Sequence, residues 1–125
     1  MHALRKIHRA LVPGSLVLDS QPLSAHPPVE SDNGMLGTLD MSEWAQTIAT
    51  IDGLVEQTIE HGLFDLKRER RFVVTDEYDD GAEFVAVTRD WAGTHVGDAF
   101  AALVGRVRGR VRLHQDVRLR VLQAR

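Results

Sequence analysis

Apolar residues recur along this chain with two periods, and the alternation between those periods predicts a small α/β fold. Leu4, Ile7 and Leu11 fall at i, i+3 and i+7, one stripe of a short helix over Ala3 to Leu11 whose other side carries Arg5, Lys6 and Arg9. Pro13-Gly14 ends that helix. The nearly continuous apolar run Ser15-Leu16-Val17-Leu18-Asp19, bounded by turn residues, reads as a strand buried on both faces. Prolines 22, 27 and 28 exclude regular structure from Ser20 to Pro28 and suggest a surface excursion. Asn33-Gly34 stands between Val29-Glu30-Ser31 and Met35-Leu36-Gly37-Thr38 and predicts an accessory hairpin, because both residues tolerate positive φ.

Asp40 with Glu43 makes a capping-box-like start, after which Trp44, Ile48, Ile51, Val55 and Ile59 keep helical spacing as far as His61-Gly62. From Leu63 to Thr75, strand formers flank the charged middle Lys67 to Arg71, the pattern of a long, partly exposed edge strand. Phe84-Val85-Ala86-Val87-Thr88 has strand propensity, but Asp80 and Glu83 form a second capping box and Phe84, Val87 and Trp91 share a helical face, so Ala82 to Trp91 is read as helix. A further helix from His95 to about Val104 buries Val96, Phe100, Leu103 and Val104 and stops at Gly105. The last segment alternates. Val107, Val111, Leu113, Val117, Leu119 and Val121 fall on one side, and Arg106, Arg108, Arg110, Arg112, His114, Asp116, Arg118 and Arg120 on the other. The expected architecture is two-layer α/β: a small mixed sheet of one short parallel-type strand, two long antiparallel strands and the hairpin, with helices mainly on one face.

Composition narrows the function classes. A chain of 125 residues has room for one domain. Its 43% apolar and 26% charged residues are ordinary for a globular protein, while 6% aromatics limit any platform for stacking bases. The absence of cysteine removes disulfides, iron–sulfur clusters and thiolate zinc sites and points to the cytoplasm. The run Leu11 to Leu18, broken by Pro13-Gly14, is far too short to cross a bilayer or to act as a signal peptide. The net charge of −3 hides an asymmetry: residues 1–105 hold 8 basic and 17 acidic side chains, residues 106–125 hold 7 and 1. Such halves can neutralise each other on folding.

Ala3-Leu4-Arg5-Lys6-Ile7-His8-Arg9-Ala10-Leu11-Val12-Pro13-Gly14-Ser15-Leu16-Val17-Leu18 resembles the helix, Pro-Gly-Gly turn and strand that precede the end of class I S-adenosylmethionine-dependent methyltransferases. Val12 stands where the family typically has a basic residue, and Ser15 where it has a second glycine. Gly62-Leu63-Phe64, then Arg68-Glu69-Arg70-Arg71-Phe72, a capped helix and an arginine-rich last strand are similar to the tails of bacterial members. The resemblance implies one truncated domain, residues 1–125, that lacks the cofactor-binding N-terminal half. It also implies that the last strand lies between that of Leu16 to Leu18 and that of Phe64 to Thr75, antiparallel to both. The apolar side of the last strand would then meet the helices of Ala3 to Leu11 and Trp44 to Ile59, leaving its arginine side uncovered. No G-x-G-x-G occurs, so no S-adenosylmethionine or other cofactor is expected unless another chain supplies that half.

No catalytic set is legible. His2, His8, His26, His61, His95 and His114 are scattered without metal-ligand spacing, and Asp76, Glu77, Asp79 and Asp80 lack the order of a calcium loop, so no metal site is expected. Asp19, Ser20 and Gln21, at the carboxyl end of the first strand, are the ligand candidates, since open α/β sheets bind ligands there. Arg112, Arg118 and Arg120 are the anion-binding candidates, able to clamp phosphates unless the acidic body pairs with them. Sparse aromatics and the acidic balance argue against nucleic acid. The function expected is a non-catalytic methyltransferase-like remnant acting through homodimerisation or a partner polypeptide, without a membrane. The alternatives are the tail of a working methyltransferase and an anion-binding module using the arginine face.

Overall fold

The structure, a computed structural model, describes residues 2–125. In chain order its elements are α1 (His2–Ala10), β1 (Leu16–Pro22), β2 (Pro28–Ser31), β3 (Gly34–Thr38), α2 (Ser42–Glu60), β4 (Phe64–Tyr78), α3 (Gly81–Thr88), α4 (Asp98–Gly105) and β5 (Val111–Ala124). Of the two expected capping boxes only the second forms: α2 starts after Met41 with no side-chain cap, Asp40 bonding Ser42 and Glu43 pairing with His95. Asp80 caps α3 by accepting from the Glu83 amide at 2.8 Å, and Glu83 accepts in return from the Asp79 amide at 2.7 Å. Gly34 takes the positive φ of the β2–β3 turn, while Asn33 does not. Several boundaries move: β1 runs on through Ser20 to Pro22 and β2 begins at Pro28, where prolines were expected to exclude regular structure, β4 extends to Tyr78, and α3 ends at Thr88 rather than Trp91. α4 starts at Asp98 rather than near His95, and Arg106 to Arg110 precede β5 instead of belonging to it.

β5 is the hub of a five-stranded sheet. β4 runs along its whole length on one side, with Phe64 opposite Ala124 and Tyr78 opposite Val111. On the other side β1 and β2 follow one another, Leu16 to Pro22 opposite Gln123 to Val117 and Val29 to Ser31 opposite Leu113 to Val111; β3 pairs with β2 outside it. Every pairing is antiparallel. β5 thus does lie between β1 and β4, but the expected mixed sheet with a parallel-type strand is corrected. The methyltransferase reading falls with it: an all-antiparallel sheet is not the parallel core of that superfamily, and nothing in the topology ties this chain to the family or to a remnant of it. β1 misled because a continuous apolar run looks buried on both faces. Here Val17 packs inward while Leu16 and Leu18 point outward and stay 60% and 68% exposed.

The buried side changes in the middle of β5. Val111, Leu113, Gln115 and Val117 are buried, then Arg118, Arg120, Leu122 and Ala124, so successive residues Val117 and Arg118 are buried on opposite faces. Two apolar clusters follow. The first gathers Val29, Leu39, Met41, Tyr78, Phe84, Val104, Val111 and Leu113, under α3 and α4; the second joins Leu4, Val55, Phe64, Leu122 and Ala124, under α1 and α2. α2 reaches both, through Trp44 at its start and Ile51, Val55 and Ile59 further on. Helices therefore cover both faces at different ends, which corrects the expectation of one covered face.

Candidate functional site

A cleft of about 450 Å³ opens on the sheet face that carries the odd-numbered residues of β5. Its walls come from four places. Trp44 lies in the first turn of α2, which Asp40 fixes by accepting from the Ser42 amide at 3.0 Å and the Ser42 hydroxyl at 2.6 Å. Those two bonds hold the Asp40 carboxyl below its usual pKa. Trp91 and Asp90 follow α3, in a loop pinned to α2 by the Trp44 amide donating to the Gly93 carbonyl at 3.2 Å. Only glycine suits that crossing: φ at Gly93 is +64°, and a Cβ there would sit 2.7 Å from the Trp44 nitrogen. Asp76 of β4 and Gln115 of β5 supply the floor, and Pro22 closes the end nearest β1.

The polar groups of this cleft have few partners. Gln115 is 8% exposed, and among the described residues its carboxamide meets only Met41 Sδ, at 3.9 Å. Asp76 and Asp90 make no ion pair or side-chain hydrogen bond among the described residues, and no lysine, arginine or histidine lines the walls.

Beyond Pro22 the same face continues uncovered. Cross-strand rows place Pro22, Val117 and Phe72 together, then Ser20, Leu119 and Arg70, then Leu18, Val121 and Arg68. Phe72 and Leu18 are exposed, Leu119 and Val121 half-buried, and Arg68 and Arg70 form a cationic margin beside them. The expected positions of the two faces are thus exchanged in this half of β5: the apolar side is the open one.

The arginine side is the covered one. Arg118 is 6% and Arg120 3% exposed, both beneath α2. Arg118 grips the Asp52 carboxylate with both terminal nitrogens, Nη1 at 3.0 Å from Oδ2, while Arg120 Nη2 donates to Asp52 Oδ1 and Asp19 Oδ2, each at 3.0 Å. Asp52 raises the Arg118 pKa, against the cost of burial. Gln21 completes the set by donating to Asp19 at 2.9 Å. The structure thus joins Asp19 and Gln21 to Arg118 and Arg120 in one internal network, turns Ser20 to the open face, and places Arg112 apart, with Asp32 at 3.0 Å and Glu77 at 3.2 Å.

Sequence reasoning missed the cleft residues because each has an ordinary reading by itself: Trp44 and Trp91 look like members of helical faces, and Asp76 like one of an acidic group after an edge strand. One signal was present, since the chain's two tryptophans both end there. Compared with known proteins, the chain matches no protein-family model, no curated protein and no solved structure.

Proposed function

We propose that this chain is a protein-interaction module of the cytoplasm that works as a homodimer joined along β1. The observation that carries the proposal is an unguarded sheet edge next to an apolar face. β1 pairs with β5 alone, and its other edge, where alternate residues of this seven-residue strand turn their backbone groups outward, has no strand beside it among the described residues. The opposite margin of the sheet is defended: β4 has a bulge at Lys67 and a run of charges from Arg68 to Arg71, the devices that discourage edge pairing. β1 has neither. Its one charged residue, Asp19, is already paired with Arg120, so two β1 strands meet without charge repulsion.

An antiparallel strand is its own complement under a two-fold axis, so a second copy is the occupant that fits this edge. Pairing would bring Leu16 and Leu18 of both copies into one patch, and covering their exposed parts contributes about 2 kcal/mol per copy. No transmembrane helix competes with this reading, since no described helix is long and apolar enough to cross a membrane. The cytoplasmic setting rests on the cysteine-free composition.

Light scattering after gel filtration tests the proposal. The wild-type chain is expected at twice its monomer mass, and Leu18→Lys at the monomer mass with an unchanged far-ultraviolet circular dichroism spectrum. A wild-type chain that stays monomeric at high micromolar concentration overturns the proposal. So does a Leu18→Lys variant that still dimerises.

A further inference from the structure

We propose that the cleft between Trp44 and Trp91 is a binding site for an alkylated ammonium group. Its size suits a small ligand or a single long side chain. Two indoles line its walls, and tryptophan is the strongest partner for organic cations among side chains. Asp76 and Asp90 add two carboxylates without counter-ions among the described residues, and no basic group lines the walls to favour an anion. Gln115 is the second pointer. A carboxamide more than nine-tenths buried, with a thioether at 3.9 Å as its one partner among the described residues, has hydrogen-bonding capacity left for an occupant.

The three kinds of group divide the work. The indoles and Pro22 take the alkyl surface of the cation, the carboxylates take its charge, and the Gln115 carboxamide takes a hydroxyl or amide carried on its stem. A carboxylate ligand has no partner of opposite charge here. A neutral alkyl group of the same shape gains the contacts but not the cation–π and ionic attraction. The cation can come free, as choline does, or on the side chain of a trimethylated lysine, and the geometry of the cleft suits either.

Tryptophan fluorescence reads this site alone, because both indoles of the chain line it. Choline chloride is expected to change the emission saturably, with sodium chloride as the ionic-strength control. The neutral isostere 3,3-dimethylbutan-1-ol is expected to bind at least about tenfold more weakly, the scale of a desolvated cation–π contact. Asp90→Asn, on an exposed loop, and Asp76→Asn, isosteric, are expected to narrow that gap. A short peptide with trimethyllysine, titrated in parallel, identifies the source of the cation by which of the two binds more tightly. The proposal is overturned if choline and its isostere bind equally, or if neither choline nor the peptide produces a change beyond that of sodium chloride.

Discussion

Arg118 and Arg120 are two like charges side by side beneath a helix, and they are tolerable there because Asp52 reaches both guanidinium groups while Asp19 holds the second. Removing one carboxylate from such a set leaves buried cations unanswered, which costs far more than the pair contributes when intact. Asp52→Ala is therefore expected to lower the unfolding free energy by about 3 kcal/mol, as read from urea denaturation. Arg118 Nε, which is buried without a hydrogen bond and has Glu69 Oε1 no closer than 3.7 Å, makes this corner less forgiving still. Tyr78 carries a different kind of sensitivity. Burial against Phe84 pushes its phenol up to about 12 from an ordinary value of 10.0, with Asp76 and Glu83 adding to the rise. The folded state holds the proton more tightly than the unfolded state, so the stability it contributes is complete below pH 10.0 and is lost as pH climbs toward about 12. Tyr78 is the one tyrosine of the chain, so tyrosinate absorbance is expected to rise near 12 in the native protein and near 10.0 in urea. Tyr78→Phe is expected to remove the alkaline fall in stability that this group causes.

At the scale of elements, Gly93 decides whether the loop after α3 can lie on the first turn of α2. Gly93→Ala adds left-handed strain of about 1 kcal/mol to a collision with the Trp44 backbone. It is expected to lower the melting temperature and shift tryptophan emission to the red as the cleft opens. α2, the β2–β3 hairpin and the capped α3 were legible in sequence because their signals are local: helical spacing from Trp44 to Ile59, Asn33-Gly34, and Asp80 with Glu83. The alternation of β5 was legible too, but its meaning was not. Period two separates the faces without saying what covers each, and the partner that buries Arg118 and Arg120 lies in α2, more than sixty residues away. β1 failed for a related reason: Leu16-Val17-Leu18 looks the same whether its outward leucines meet a neighbouring layer or open space. The cleft was illegible because Trp44, Asp76, Trp91 and Gln115 come from three elements and a loop.

At the scale of the molecule, the excess of arginine at the C-terminal end and the acidic excess before it are two parts of one balance. Arg112 meets Asp32 and Glu77, Arg110 meets Glu77, Arg118 and Arg120 meet Asp52 and Asp19, and Arg125 meets Asp65. Folding brings these halves together through β5, which touches β1, β2 and β4 and comes after all of them in the chain. During synthesis, helices and the β2–β3 hairpin can form as they leave the ribosome, yet β1 and β4 have no neighbour to pair with until Val111 to Ala124 has emerged. Pairs such as Leu16 with Gln123 close loops longer than a hundred residues, the kind of contact that slows folding. Until then the nascent chain shows two unpaired strands, one of them the apolar Leu16-Val17-Leu18, and the emergence of β5 ends that exposure.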